Sequence, residues 1–141
     1  MLDNSTLAQV ASIIAGFGAT MLFFRIQREL EMREQDEQDW MPWADWLLIS
    51  AIIIALLGGV LPLVVTLFSP TFTDTLVRAS CAAATLMLTG YIPSILAHYR
   101  LVFGKKRSGP RDNPEPAERW LVILTIFVAV ITVLLIISGI A

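Results

Sequence analysis

The sequence predicts an all-α integral membrane protein: four transmembrane helices in an up-down antiparallel bundle, with the first helix extended into the cytoplasm. Three observations carry this expectation. Hydrophobic residues make up 56% of the 141 residues and charged residues 16%, with a mean hydropathy of +0.71; soluble domains run at about 45–50% and about 25%. A water-soluble fold of this length could not hide so much apolar surface in one core. The apolar residues are also gathered into four runs without Asp, Glu, Lys or Arg, at 7–24, 46–68, 79–97 and 120–141. At about 1.5 Å per residue each run is long enough to cross a hydrocarbon layer of about 30 Å. Finally, nine of the ten Lys and Arg residues fall in the connection after the first run or the connection after the third, leaving only Arg78 elsewhere. The positive-inside rule then places both connections in the cytoplasm and both termini outside, as expected in a bacterial cytoplasmic membrane. Residues 1–141 form a single four-span domain, with spans at about 7–24, 46–68, 75–99 and 120–141 and cytoplasmic connections at 25–45 and 100–119.

The residues ahead of the first run include Asp3 and no basic residue. A secretory signal begins with positive charge, so this run is expected to stay in the protein as a helix. Within it Ala8, Ser12, Gly16 and Thr20 recur every four residues beside a second row, Ala11, Ala15 and Ala19. Small residues at this spacing let another backbone approach closely; a neighbour in the same chain is the expected partner, ahead of a second copy. Past the run, Arg25/Glu29, Glu29/Arg33 and Arg33/Glu37 are i,i+4 pairs, so the helix should continue as a solvated stalk, with Phe23, Ile26 and Leu30 as a short apolar seam.

The chain returns through Trp40, Pro42, Trp43 and Trp46, with Pro42 suited to the first helical turn. These three indoles, and Trp120 at the start of the fourth span, are expected to anchor at the headgroup level. Gly58, Gly59 and Pro62 predict a kink in the second span. The outer link at 69–74 is short, which makes the second and third spans antiparallel neighbours, and Thr73 or Asp74 can cap the third helix.

The third span is the most polar. At 100° per residue Arg78, Cys81, Thr85 and Thr89 fall on one stripe in its outer half, and Tyr91, Ser94 and His98 on the opposite stripe in its inner half, with Pro93 between them. Arg78, Thr85, Thr89, Tyr91, Ser94 and His98 are therefore candidates to line a polar path. The alternative is that the hydroxyls bond their own helix carbonyls, Tyr91 packs between helices, and Arg78 pairs with Asp74 one turn earlier. The fourth span is almost entirely Val, Ile and Leu and reads as a lipid-facing helix.

Gly104, Gly109, Pro110, Pro114 and Pro116 exclude regular structure from the second connection. Lys105, Lys106, Arg107 and Arg111 lie near the membrane surface and are expected to attract anionic lipid. Nucleic acid is not an expected partner, because one basic run without interleaved aromatics lacks a stacking platform. Residues 25–45 carry three basic and seven acidic groups, and residues 100–119 carry six and three, so the two connections should attract one another.

One His and one Cys leave no cluster for zinc or haem, and phosphate-loop and nucleophile motifs are missing. No cofactor is expected. The reading that follows is a small non-enzymatic protein acting as a homo-oligomeric, channel-like or membrane-perturbing module. A second reading is an accessory or scaffold subunit that recruits a protein partner through its charged cytoplasmic face. A third is a membrane enzyme acting on a lipophilic substrate through Arg78, Tyr91 or His98.

Overall fold

The computed structural model describes residues 3–33, 42–65, 69–99 and 115–140. Its four long helices, α1 (Asn4–Arg33), α2 (Ala44–Val64), α3 (Pro70–His98) and α4 (Pro116–Ile137), are packed antiparallel. Each is long and apolar enough to cross a membrane, and the chain is a small four-span membrane protein.

Local chemistry sets the ends. Asp3 caps α1, its Oδ1 accepting the Thr6 N–H at 2.8 Å and its Oδ2 the Ser5 hydroxyl at 3.1 Å. Both α3 and α4 open with proline, at Pro70 and Pro116, behind an extended residue, Ser69 and Glu115. Proline's missing N–H is harmless in a first turn, and its ring pushes the preceding residue out of helical geometry. This corrects two expectations. The third helix starts at Pro70, so Thr73 and Asp74 lie inside it and cap nothing; likewise Pro116 starts α4 instead of prolonging the irregular connection. A third correction is at Pro42, which precedes the Trp43 N-cap of α2 and stands outside the helix. At the far end of α4, Gly139 takes φ +71°, with its N–H on Ile136 and that of Ile140 on Leu135, so the last carbonyls are satisfied in a Schellman arrangement.

The kink expected in α2 is a stretch of π-helix over Ala55–Val60, just ahead of Pro62. The Pro62 ring collides with the carbonyl four residues back, at Gly58, and offers it no donor; widening the turn relieves both problems. The two glycines there sit against neighbours. A Cβ on Gly59 would stand 2.7 Å from that of Ala11 in α1, and one on Gly58 would run into the Ser80 side chain of α3.

The helix α3 touches every other helix and is the hub of the bundle. One apolar core, in the half away from the two long connections, joins Leu7, Ala11, Ile14 and Ala15 to Ala55, Val77, Cys81 and Ala84. A second, nearer those connections, joins Ala44, Leu47 and Leu48 to Tyr91 and Val122. Only 11% of the α4 span is buried, against 39% of α3, so α4 lies on the outside of the bundle with Ile123, Leu124, Phe127 and Leu134 exposed. It packs along α3 and meets α2 only marginally.

The α1 contact differs from expectation. Ser12, Gly16 and Thr20 are exposed, and nothing lies within 4 Å of a Cβ built on Gly16. The face packed inside the chain takes in the first part of the adjacent row, with Ala11 fully buried and Ala15 nearly so, while Ala19 is exposed. Ala11 fits because Gly59 is bare, whereas Ala8, only partly buried, and its row are turned away.

Candidate functional site: a buried polar layer

Antiparallel packing brings four helix ends together: the C-terminal halves of α1 and α3 and the first turns of α2 and α4. Polar side chains meet there, with Arg25, His98 and Glu118 buried within the protein. Arg25 of α1 is only 7% exposed, so it is not part of a solvated stalk. Its guanidinium grips the Asp45 carboxylate of α2 with two parallel bonds, Nε to Oδ1 at 3.2 Å and Nη2 to Oδ2 at 3.3 Å. The same group reaches Glu29 at 2.9 Å, one turn along α1 as the i,i+4 spacing predicts, and donates through Nη1 to the Tyr99 hydroxyl. Arg25 and Arg28 also place their guanidinium carbons 5.6 and 4.9 Å from the centre of the Tyr99 ring, within cation–π range. Phe23, Ile26 and Leu30 remain exposed.

Beside this group lies a second. Glu118, in the first turn of α4, has no exposed surface. Its Oε1 accepts the Ala44 N–H, the first of α2, at 2.8 Å, and its Oε2 meets His98 Nδ1 at 2.8 Å. A carboxylate thus sits at the start of two helices, where unpaired N–H groups and the helix dipoles favour negative charge. The two groups link all four helices, and no sealed side-chain nitrogen or oxygen among the described residues is left without a partner. Such a layer resists relative sliding of the helices, because any shift strands a buried charge.

The candidate path residues divide around it. Tyr91, Ser94 and His98 are buried; Tyr91 belongs to the second core, and the Ser94 hydroxyl donates to the Gly90 carbonyl at 2.8 Å. Thr85 and Thr89 are on the exposed side of α3, their hydroxyls donating at 2.7 Å to Cys81 and Thr85 carbonyls of the same helix. Among the described residues no continuous line of free polar atoms joins the two sets. Arg78 does not pair with Asp74, whose carboxylate takes the Asn4 side-chain amide instead. Among the described residues Arg78 makes no ion pair or hydrogen bond.

Of the aromatic anchors, Trp46 and Trp120 are 63% and 73% exposed. Trp43 is half-buried with the Arg119 guanidinium 5.0 Å above its ring. Trp40, and the basic residues Lys105, Lys106, Arg107 and Arg111, lie outside the described residues. Among the described residues no three His, Cys, Asp or Glu side chains converge as metal ligands would.

Sequence reasoning missed Arg25, Asp45 and Glu118 because it sought a polar path along the third span alone, and these three belong to the other three helices. One signal was present: Asp45 and Glu118 each stand in a first helical turn soon after a proline. No family model, curated protein or solved structure matches the chain.

Proposed function

We propose that this four-span membrane protein is a non-enzymatic accessory or scaffold subunit, with its two charged connections as the working surface. The observation that supports the reading is the buried layer of Arg25, Asp45, Tyr99, His98, Glu118 and the Ala44 N–H, which ties all four helices at the end where both connections emerge. Polar groups spent on each other hold that end in a fixed arrangement and leave little to line a route. An acidic connection, 25–45, and a basic one, 100–119, both leave from that end, and the basic excess favours the cytoplasmic side for it. A partner with complementary charge would find both signs within one footprint.

The test is isolation of the tagged protein from its own membranes in mild detergent. A partner in fixed stoichiometry is expected, and neutralising Lys105, Lys106 and Arg107 to Gln should release it while leaving the melting temperature of the bundle unchanged. A symmetric homo-oligomer with no second protein, conducting in planar bilayers, would overturn this reading in favour of the channel-like one. The exposed row Ser12, Gly16 and Thr20 favours that second reading, since it offers a close-contact face that no described residue uses.

A further inference from the structure

The exposed face of α1 carries an order of its own. Gln9, Ser12, Gly16, Ala19, Phe23, Ile26 and Leu30 are all exposed and follow one another at alternating steps of three and four residues. Such steps are the period of a seam between two supercoiled helices, and here they last for three heptads, about 32 Å at 1.5 Å per residue. Packing inside the chain uses a different side, on which Leu7, Ala11, Ile14 and Arg25 are buried. Nor is the seam an ordinary lipid-facing surface. Bulky exposed residues, Phe17 and Phe24, stand about a third of a turn away round the helix, whereas Ser12, Gly16 and Ala19 leave a trough in which a Cβ on Gly16 would meet nothing within 4 Å.

Two polar groups of the seam have no partner. Gln9 and Ser12 belong to the uncharged run 7–24, and neither side chain makes a hydrogen bond among the described residues. Thr20 of the same helix does satisfy itself, its hydroxyl donating to the Gly16 carbonyl at 2.9 Å. Hydrocarbon offers Gln9 and Ser12 nothing, so lipid in the trough would leave both unsatisfied. A side-chain amide is donor and acceptor at once, and two Gln9 side chains facing each other across a twofold axis along the membrane normal satisfy one another; two Ser12 hydroxyls do the same. Copies of one membrane protein are inserted in the same direction, so their α1 helices run parallel and each seam residue falls opposite its own counterpart. Small residues then meet small ones, where backbones can approach closely. Further along, Phe23, Ile26 and Leu30, each more than half exposed in the single chain, meet their equivalents.

We infer that the protein pairs with a second copy of itself along this face, as a parallel homodimer in which Gln9 and Ser12 bond across the axis and the apolar residues from Phe23 to Leu30 close the inner end. The self-complementary amide selects a copy over lipid, and the unbroken heptad period selects a helix as the element that meets it. The dimer stands apart from the partner assigned to the charged connections, since neutralising Lys105, Lys106 and Arg107 leaves every seam residue in place.

The experiment is a cysteine scan of the full chain in its own membranes, with Cys81→Ser as background and copper phenanthroline as oxidant. Ser12→Cys, Gly16→Cys and Ala19→Cys should each give a disulfide-linked species of doubled mass. Phe17→Cys and Phe24→Cys should give little, because a disulfide needs Cα atoms within about 7 Å of each other. In liposomes, energy transfer between labelled copies should show the association constant falling about 5–30-fold in Gln9→Leu, and by less in Gln9→Asn, which keeps an amide. A linked product of any other mass at the seam positions would assign the face to a different protein and overturn the pairing of copies. Equal linking at all five positions, as random collision gives, or no linking on the seam, would overturn the seam itself. An association constant unaltered in Gln9→Leu would overturn the amide pair.

Discussion

Removing Glu118 should unlock the bundle. The side chain is fully buried and its two oxygens are both used, one on the Ala44 N–H and one on His98, each at 2.8 Å. Glu118→Leu deletes both acceptors at once, strands the Ala44 donor and removes the bond to the His98 ring. Breaking a buried ionisable pair from one side costs about 3–5 kcal/mol, and the orphaned backbone donor accounts for about 1–3 kcal/mol of such a loss. His98→Leu should cost less, because Glu118 keeps its bond to Ala44. The pair is directly bonded, so the two losses should not add: the double variant is expected to be about 0.5–3 kcal/mol more stable than their sum. Equilibrium unfolding in detergent micelles, followed by helical signal, gives all four corners of the cycle. Additive losses, or a Glu118→Leu effect below about 0.5 kcal/mol, would refute the claim that this pair holds the helix ends together.

Three further outcomes follow from other parts of the fold. Arg25→Lys keeps the charge but loses the two-pronged grip on Asp45 and the bond to Tyr99, so the same assay should show a loss of about 1–3 kcal/mol, with Lys no adequate substitute. Gly59→Val, which would drive a branched side chain into Ala11, should destabilise by about 1–3 kcal/mol or more, while Gly16→Leu, facing open space, should leave the monomeric bundle unchanged in a detergent melt. At the start of α1, hydrogen bonds from Thr6 and Ser5 hold the Asp3 carboxyl below its ordinary range. The native value is the depressed one, so the cap stabilises α1 above the unfolded-state value and is lost as pH falls through the native value. Exchange of the Thr6 amide should accelerate, relative to its intrinsic rate, across that acidic window and stay level through neutral pH.

By itself the sequence determined that there are four long apolar helices and that neighbours run antiparallel. Those conclusions depend on run length and loop length, which are local quantities. It also determined that the Val, Ile and Leu stretch of α4 lies on the outside of the bundle, since beyond Glu118 that helix has almost nothing polar to bury. Helix rotation was beyond its reach: Ala8–Thr20 and Ala11–Ala19 are equally small rows, and only the bare backbone of Gly59, brought round by the π-helical turn, selects Ala11. The polar layer was hidden for a similar reason. Arg25, Asp45, His98, Tyr99 and Glu118 are separated by up to 93 positions in the chain, and each alone reads as an ordinary charge or aromatic at a membrane boundary. Only antiparallel packing converts them into mutual partners, because burial removes water as the competing one.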